Sequence, residues 1–265
     1  VYRKRYLREL KKKKQHENTA GNGEHKNDKT KSQDAKIKYS KKAMFDKEKD
    51  KKKKAYLQCA ERLSSCRKKN ADKLAEKIKK ALLELNFLDV QFEINVSEKE
   101  HYTAKGIDDV EFLISTNPGE MVRSLGKVAS GGELSRIMLA IKSVLAQQDE
   151  VETLIFDEID TGVSGAVAQR IGEKMYQVSL NHQVLCITHL PQIAILSDYH
   201  YFVSKSIKDN KTYTSIKILN KDEKINQVAT MLGGNEVTKA TYENVKEMLK
   251  LSEKKKSEIK AYKNT

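Results

Sequence analysis

Two short apolar runs constrain this chain more than anything else in it. VETLIF at 151–156 and QVLCIT at 183–188 carry few polar residues, and between them 163–180 has the three- and four-residue apolar spacing of a helix. A strand that is apolar on both faces belongs in a sheet covered on both sides. Two such strands joined by a helix belong side by side and parallel. Helical spacing over 134–147 precedes the first run, so the order is helix, strand, helix, strand. Further strand candidates lie at 90–96 and 110–116, the second closed by the turn Asn117-Pro118-Gly119, and at 199–204 and 212–219. Helices are expected from about Asp222 and Val237. Residues 89–265 therefore read as one α/β domain, a mainly parallel sheet flanked by helices.

Upstream, 55–88 has a different period. Ala60, Ser64, Ala71, Leu74, Ile78, Ala81, Leu85 and Leu88 recur at three- and four-residue steps among Lys, Glu and Arg. That is a long amphipathic helix. It suits either the root of a coiled coil or a helix packed on a core, and Arg67 on the stripe weakens a coiled-coil seam.

Charge is segregated. Residues 1–54 hold 21 Lys/Arg against 8 Asp/Glu, whereas the remainder holds 30 against 29. The net charge of +14 thus belongs almost wholly to an N-terminal arm that includes Lys11, Lys12, Lys13 and Lys14, then Lys51, Lys52, Lys53 and Lys54. Apolar residues are sparse there, so a disordered or weakly helical, low-complexity arm is expected. Such an arm suits phosphate contact with DNA or a solvated tail equally well. Lysine outnumbers arginine 43 to 8, which favours diffuse phosphate contact over base reading. Cys59, Cys66 and Cys186 are odd in number and form no C-x-x-C pair, so they frame neither a zinc site nor a disulfide set and fit a reducing cytoplasm. No apolar run reaches bilayer length, so no membrane partner is expected.

Four elements carry chemistry. Ser130-Gly131-Gly132-Glu133 stands where a helix begins, and unpaired N–H groups at such a position form an anion site. Equally, Ser130 can be an N-cap with Glu133 completing a capping box. Asp157-Glu158 ends the first apolar strand, at the sheet edge where open α/β folds bind ligands. One carboxylate there suits Mg²⁺ and its neighbour suits polarising a water, although loops are often acidic simply because they are wet. Ile159-Asp160-Thr161-Gly162 is a tight turn. Thr188-His189 ends the second apolar strand, with Pro191 opening a helix, and a lone histidine at a strand end is commonly structural.

In this order the four elements match the ABC-type ATPase head. VASGGELSRIMLA, LIFDEIDTGVSG, QVLCITHLPQIA and the late Met231-Leu232-Gly233-Gly234 resemble the RecN family of SMC-like bacterial repair proteins, over about residues 55–250. The resemblance implies the C-terminal lobe of a P-loop NTPase-like head that uses ATP and Mg²⁺. In it Ser130, Gly131, Gly132 and Glu133 match the signature that meets the γ-phosphate held by a second head, as in a homodimer. Asp157 matches the Walker B metal carboxylate, Glu158 the catalytic base, Asp160 the D-loop and His189 the switch histidine. It implies DNA as a partner, a role in double-strand-break repair and recombination, and a cytoplasmic, nucleoid-associated location.

One departure bears on activity. The 265 residues contain no G-x-x-x-x-G-K-[ST], and Gly126-Lys127 runs on into Val-Ala. The Walker A loop is expected from an N-terminal half, in cis or as a separate chain. The chain alone is expected to turn over ATP little or not at all, and an alternative is a catalytically idle lobe whose basic arm binds nucleic acid.

Overall fold

A computed structural model describes residues 27–128, 130–234 and 236–263. They fall into two units that part between Arg62 and Leu63. The first helix, α1 (Asn27–Glu84), runs unbroken through the point where composition changes. Of the expected disordered or weakly helical arm of 1–54, the described part is helical from Asn27 on. The physical reason is that 27–84 contains neither Gly nor Pro and is rich in Lys and Ala, both good helix formers, with pairs such as Glu48–Lys52 at 2.9 Å. Residues 1–26, and with them Lys11–Lys14, lie outside the described residues. From Leu63 onward α1 buries Ser64, Ala71, Ala75, Ile78, Ala81, Leu82 and Leu85. It stops at Asn86, whose φ is +68, with Phe87 N–H donating to Leu82 O and Asn86 N–H to Leu83 O, a left-handed cap.

The strands form three separate small sheets rather than one. β1 (Gln91–Thr103), β2 (Gly106–Ser115) and β3 (Arg123–Ser124) are antiparallel neighbours in that order. After a short 3₁₀ turn, Leu125–Lys127, come α2 (Gly131–Leu145), β4 (Thr153–Phe156), α3 (Gly165–Ser179) and β5 (Gln183–Cys186). Then follow α4 (Pro191–Ala194), β6 (Tyr201–Lys208), β7 (Lys211–Ile218), α5 (Lys221–Gly233) and α6 (Lys239–Lys263). Among the described residues only β4 and β5 pair in parallel, with Leu154 opposite Val184 and Phe156 opposite Cys186. The expectation of a mainly parallel sheet is therefore corrected. The links β1–β2 and β6–β7 are two-residue turns, and a parallel crossover needs a dozen residues or more. Asp209 and Asn210, both with positive φ, make the second of these turns.

The main core joins α1, β1, β2, α2, β4 and α3 through Ile78, Leu82, Leu85, Ile114, Ile137, Leu139, Ile171 and Val178. A second cluster packs Ala194, Ile195 and Leu196 against Val228, Ala229 and Val245 of α5 and α6. β4 and β5 are covered on one face only. Leu154 and Phe156 are buried, while Ile155 is 68%, Leu185 43% and Ile187 63% exposed on the other face. Likewise Tyr201, Val203, Ile207, Ile216 and Ile218 share one face of the β6–β7 hairpin and are all exposed. Among the described residues no helix is long and apolar enough to cross a membrane.

Arg67 finds its purpose here. Its guanidinium donates to Asp108 Oδ2 at 2.7 Å and to Lys105 O at 3.0 Å, tying α1 to the β1–β2 hairpin. The Asp108 side chain is only 2% exposed. The Ser64 hydroxyl and then Arg67 hold its carboxyl below the usual range. The carboxylate therefore contributes stability that is present above its ordinary titration range and is lost as pH falls through its folded value. Arg67→Met strands a buried charge and should cost on the order of 2 kcal/mol. In urea melts the midpoint should drop with an unchanged slope, and the deficit should shrink as the pH is lowered toward 3.

Candidate functional site

The chemistry-bearing residues meet at the turn that follows β4. α2 starts at Gly131 because Ser130 is extended (φ −93, ψ 123) and its Oγ accepts from Glu133 N–H at 3.4 Å. Ser130 is thus the N-cap of its own helix, which leaves the other first-turn N–H groups pointing outward. Into this helix end packs the 158–161 turn. Glu158 is left-handed, with φ +57, and is held so by Glu158 N–H donating to Asp157 Oδ1 at 2.9 Å and Thr161 N–H donating to Glu158 O at 3.1 Å. A non-glycine residue in that conformation costs about 1 kcal/mol or more and needs such bonds.

Gly131 and Gly132 make room for different things. A Cβ on Gly131 would lie 2.6 Å from Glu158 Oε2, so the Glu158 carboxylate stands at the amino end of α2. A Cβ on Gly132 would lie 3.0 Å from Glu158 O, 3.2 Å from Thr161 Cβ and 3.3 Å from Thr161 O. Gly131 is crowded by the end of a long side chain, Gly132 mainly by backbone.

Two residues one helical turn further along secure the same contact. Ser135 Oγ donates to Asp157 O at 2.8 Å, and Arg136 Nη1 donates to Thr161 O at 3.1 Å and Ile159 O at 3.5 Å. The Arg136 guanidinium also lies 5.6 Å from the Phe87 ring centroid. Sequence reasoning quoted both residues inside the motif without giving them work. Their positions i+4 from the glycines place them on the glycine face, and that was the available signal.

On the other side of the turn, Asp160 is buried, its side chain 3% exposed. Its Oδ2 accepts from Thr188 Oγ1 at 2.6 Å and from His189 N–H at 3.0 Å, and lies 3.1 Å from His189 Nδ1. The His189 side chain is 73% exposed. Asp157 and Glu158 are exposed beside it. Cys186 lies under this edge. Burial, then Asp160 and Asp157, push its thiol up to about 12, so it is no nucleophile. The helix start at Ser130–Glu133 and His189 thus both meet the one segment 157–161, whereas Lys51–Lys54 belong to the other unit of the chain and are exposed on α1.

The glycine geometry makes a sharp prediction. Gly131→Ala displaces only a carboxylate and should shift stability by no more than about 0.5 kcal/mol. Gly132→Ala must push backbone aside and should cost about 1–3 kcal/mol. Thermal unfolding of the two variants checks this, and equal effects would contradict the packing.

The chain is 46% identical over 201 residues to DNA repair protein RecN of Bacillus subtilis (strain 168), a match covering 72% of this chain and 35% of that protein. It is 40% identical over 195 residues to DNA repair protein RecN of Vibrio cholerae serotype O1, covering 73% and 35%. Among solved structures it is similar to the Smc head domain with an extended coiled coil bound to the C-terminal domain of ScpA, from Pyrococcus furiosus. That match has a TM-score of 0.47 and 17% identity, and covers 71% of this chain and 46% of the other. No protein-family model matches the chain. Over the matched stretch this chain belongs to the RecN family, and it spans about a third of the length of the curated relatives it matches.

Proposed function

We propose that this chain supplies the signature and Walker B part of a RecN-type repair ATPase head, one that binds Mg²⁺ and ATP between two heads and acts on DNA in double-strand-break repair and recombination. The observation that carries the reading is the 157–161 segment, which packs on the amino end of α2 on one side and on His189 on the other. Identity of 46% to a DNA repair protein across the same motifs supports it.

Each residue has a task in this reading. Asp157 would hold Mg²⁺: its carboxylate is exposed at the end of β4, and Mg²⁺ takes one or two carboxylates with its remaining oxygens from phosphates and water. The bound cation neutralises phosphate charge. Glu158 would accept the proton of the attacking water; its carboxylate stands beside Gly131 at the amino end of α2. Ser130–Glu133 offer the helix N–H groups to the γ-phosphate of a second head. His189, whose side chain is exposed, would meet the same phosphate. A P-loop is not among these residues, so it comes from an N-terminal half, in cis or as a separate chain. The open apolar face of Ile155, Leu185 and Ile187 suits that half, because a parallel strand pair needs cover on both faces.

A polypeptide or pair that includes the P-loop half tests the assignment. With ATP, Glu158→Gln should accumulate paired heads on sizing chromatography while turnover falls at least 100-fold, whereas Ser130→Arg should bind ATP but not pair. Asp157→Ala should weaken Mg²⁺-nucleotide binding itself. Ile155→Lys with Leu185→Lys should leave this chain folded, since both side chains are already exposed, yet lower its affinity for the P-loop half. Normal pairing by Ser130→Arg together with none by Glu158→Gln sinks the reading.

DNA contact falls to the lysines. Lys51–Lys54 are exposed on α1, and the body outside 1–54 is close to neutral. In fluorescence anisotropy, log affinity should fall linearly with log salt, and replacing Lys51–Lys54 by Gln should reduce the slope by up to about 3–4. An unchanged slope places the contact elsewhere.

A further inference from the structure

The β6–β7 hairpin is two-faced. One face is apolar, with Tyr201, Val203, Ile207, Ile216 and Ile218 beside a single lysine, Lys205. On the other, pairing sets Phe202 opposite Lys217, Ser204 opposite Ser215, Ser206 opposite Tyr213 and Lys208 opposite Lys211. That face holds lysines, hydroxyls and two rings, and no carboxylate. All of its residues are exposed except Ser204, whose hydroxyl meets that of Ser215 at 2.8 Å.

At the tip two like charges stand side by side. The two-residue turn Asp209-Asn210, with φ of +51 and +57, holds Lys208 and Lys211 directly opposite each other. Like charges in that position weaken a strand pair. Lys217, at the far end of the face, is paired with Glu223 of α5. Among the described residues Lys208 and Lys211 join no ion pair, and Asp209, the one acid of the hairpin, pairs with neither. Two uncompensated ammonium groups backed by the hydroxyls of Ser206 and Tyr213 are complementary to a polyanion rich in oxygen, and side chains of these kinds contact the DNA backbone. The apolar set lies on the opposite face, so an element that covers it leaves the lysines open.

We infer that the tip of the β6–β7 hairpin is a second contact for the DNA phosphate backbone, in which Lys208 and Lys211 neutralise phosphates and the Ser206 and Tyr213 hydroxyls donate to phosphate oxygens beside them. This rests on the reading of DNA as a partner and adds a place to it, because Lys51–Lys54 belong to the other unit of the chain. No arginine, asparagine or glutamine stands on the face, so the contact is to phosphates rather than base edges and carries no sequence preference. A bound polyanion also relieves the repulsion between Lys208 and Lys211, which the free hairpin bears.

Fluorescence anisotropy of a labelled DNA duplex, titrated with the full chain over a series of salt concentrations, tests this. Lys208→Gln with Lys211→Gln should reduce the slope of log affinity against log salt by about 1–2. Lys239→Gln with Lys254→Gln changes the net charge equally at exposed positions of α6 and should leave the slope as it is. Lys208→Glu sets opposite charges across the strands, so it should not lower the melting temperature, yet it should weaken DNA binding more than Lys208→Gln does. Equal slopes for the hairpin and α6 variants overturn the inference, as does native affinity in Lys208→Glu. A lowered melting temperature in Lys208→Glu contradicts the cross-strand pairing on which it stands. If the native chain binds no DNA, the reading of DNA as a partner falls and this inference with it. If the native chain binds and the hairpin variant matches the α6 variant, this inference alone falls.

Discussion

The amino end of α2 and the 158–161 turn approach each other so closely that a Cβ at residue 132 would lie 3.0 Å from the Glu158 carbonyl oxygen and 3.3 Å from that of Thr161. The rest of the site depends on that approach. It sets Glu158 in a left-handed conformation, brings its carboxylate to Gly131, and lets Ser135 and Arg136 bond the backbone of Asp157, Ile159 and Thr161. With the turn fixed from the helix side, Asp160 is carried inward, where it meets Thr188 and His189. The helix end and the residues at the end of β5 are thus joined through one five-residue segment with hydrogen bonds at both ends.

The core beneath makes this segment stiff. Ile159 is fully buried between the exposed acids and buried Asp160, so the turn is anchored by an apolar side chain as well as by hydrogen bonds. The opposite face of β4–β5 is unlike it. Ile155, Leu185 and Ile187 are apolar and open, as is one face of the β6–β7 hairpin. Surfaces of that kind mark places where another element packs.

Much of the unit was legible in advance for one reason: period. The apolar runs at 151–156 and 183–188 and the helix between them follow from the spacing of Leu, Ile, Val and Phe, because burial selects that spacing directly. The cap at Ser130 and the helix start at Pro191 follow from local backbone chemistry and were equally visible. Sheet partnership was not. The β1–β2 and β6–β7 hairpins were expected as strands but not as separate antiparallel sheets, since pairing is decided by the short connections Ala104-Lys105 and Asp209-Asn210 rather than by the strands. The reach of α1 back to Asn27 was left open between disorder and weak helix, because a lack of apolar residues argues against a core, not against a helix.

Sequence by itself determined which residue types stand together along the chain: Ser and glycines before a helix, two acids at a strand end, a histidine at the next. Those are one-dimensional facts, fixed by motif and period. Tertiary structure decided what faces what. It gave Arg67, an apparent flaw in an apolar stripe, a buried partner in Asp108 from a hairpin 41 residues away. It buried Asp160 while leaving Asp157 and Glu158 exposed, although all three are acids within four residues. And it paired Asp160 with His189 across 29 residues. No local pattern specifies such contacts, because a side chain's partner is set by how strands and helices pack, and packing answers to the whole core at once.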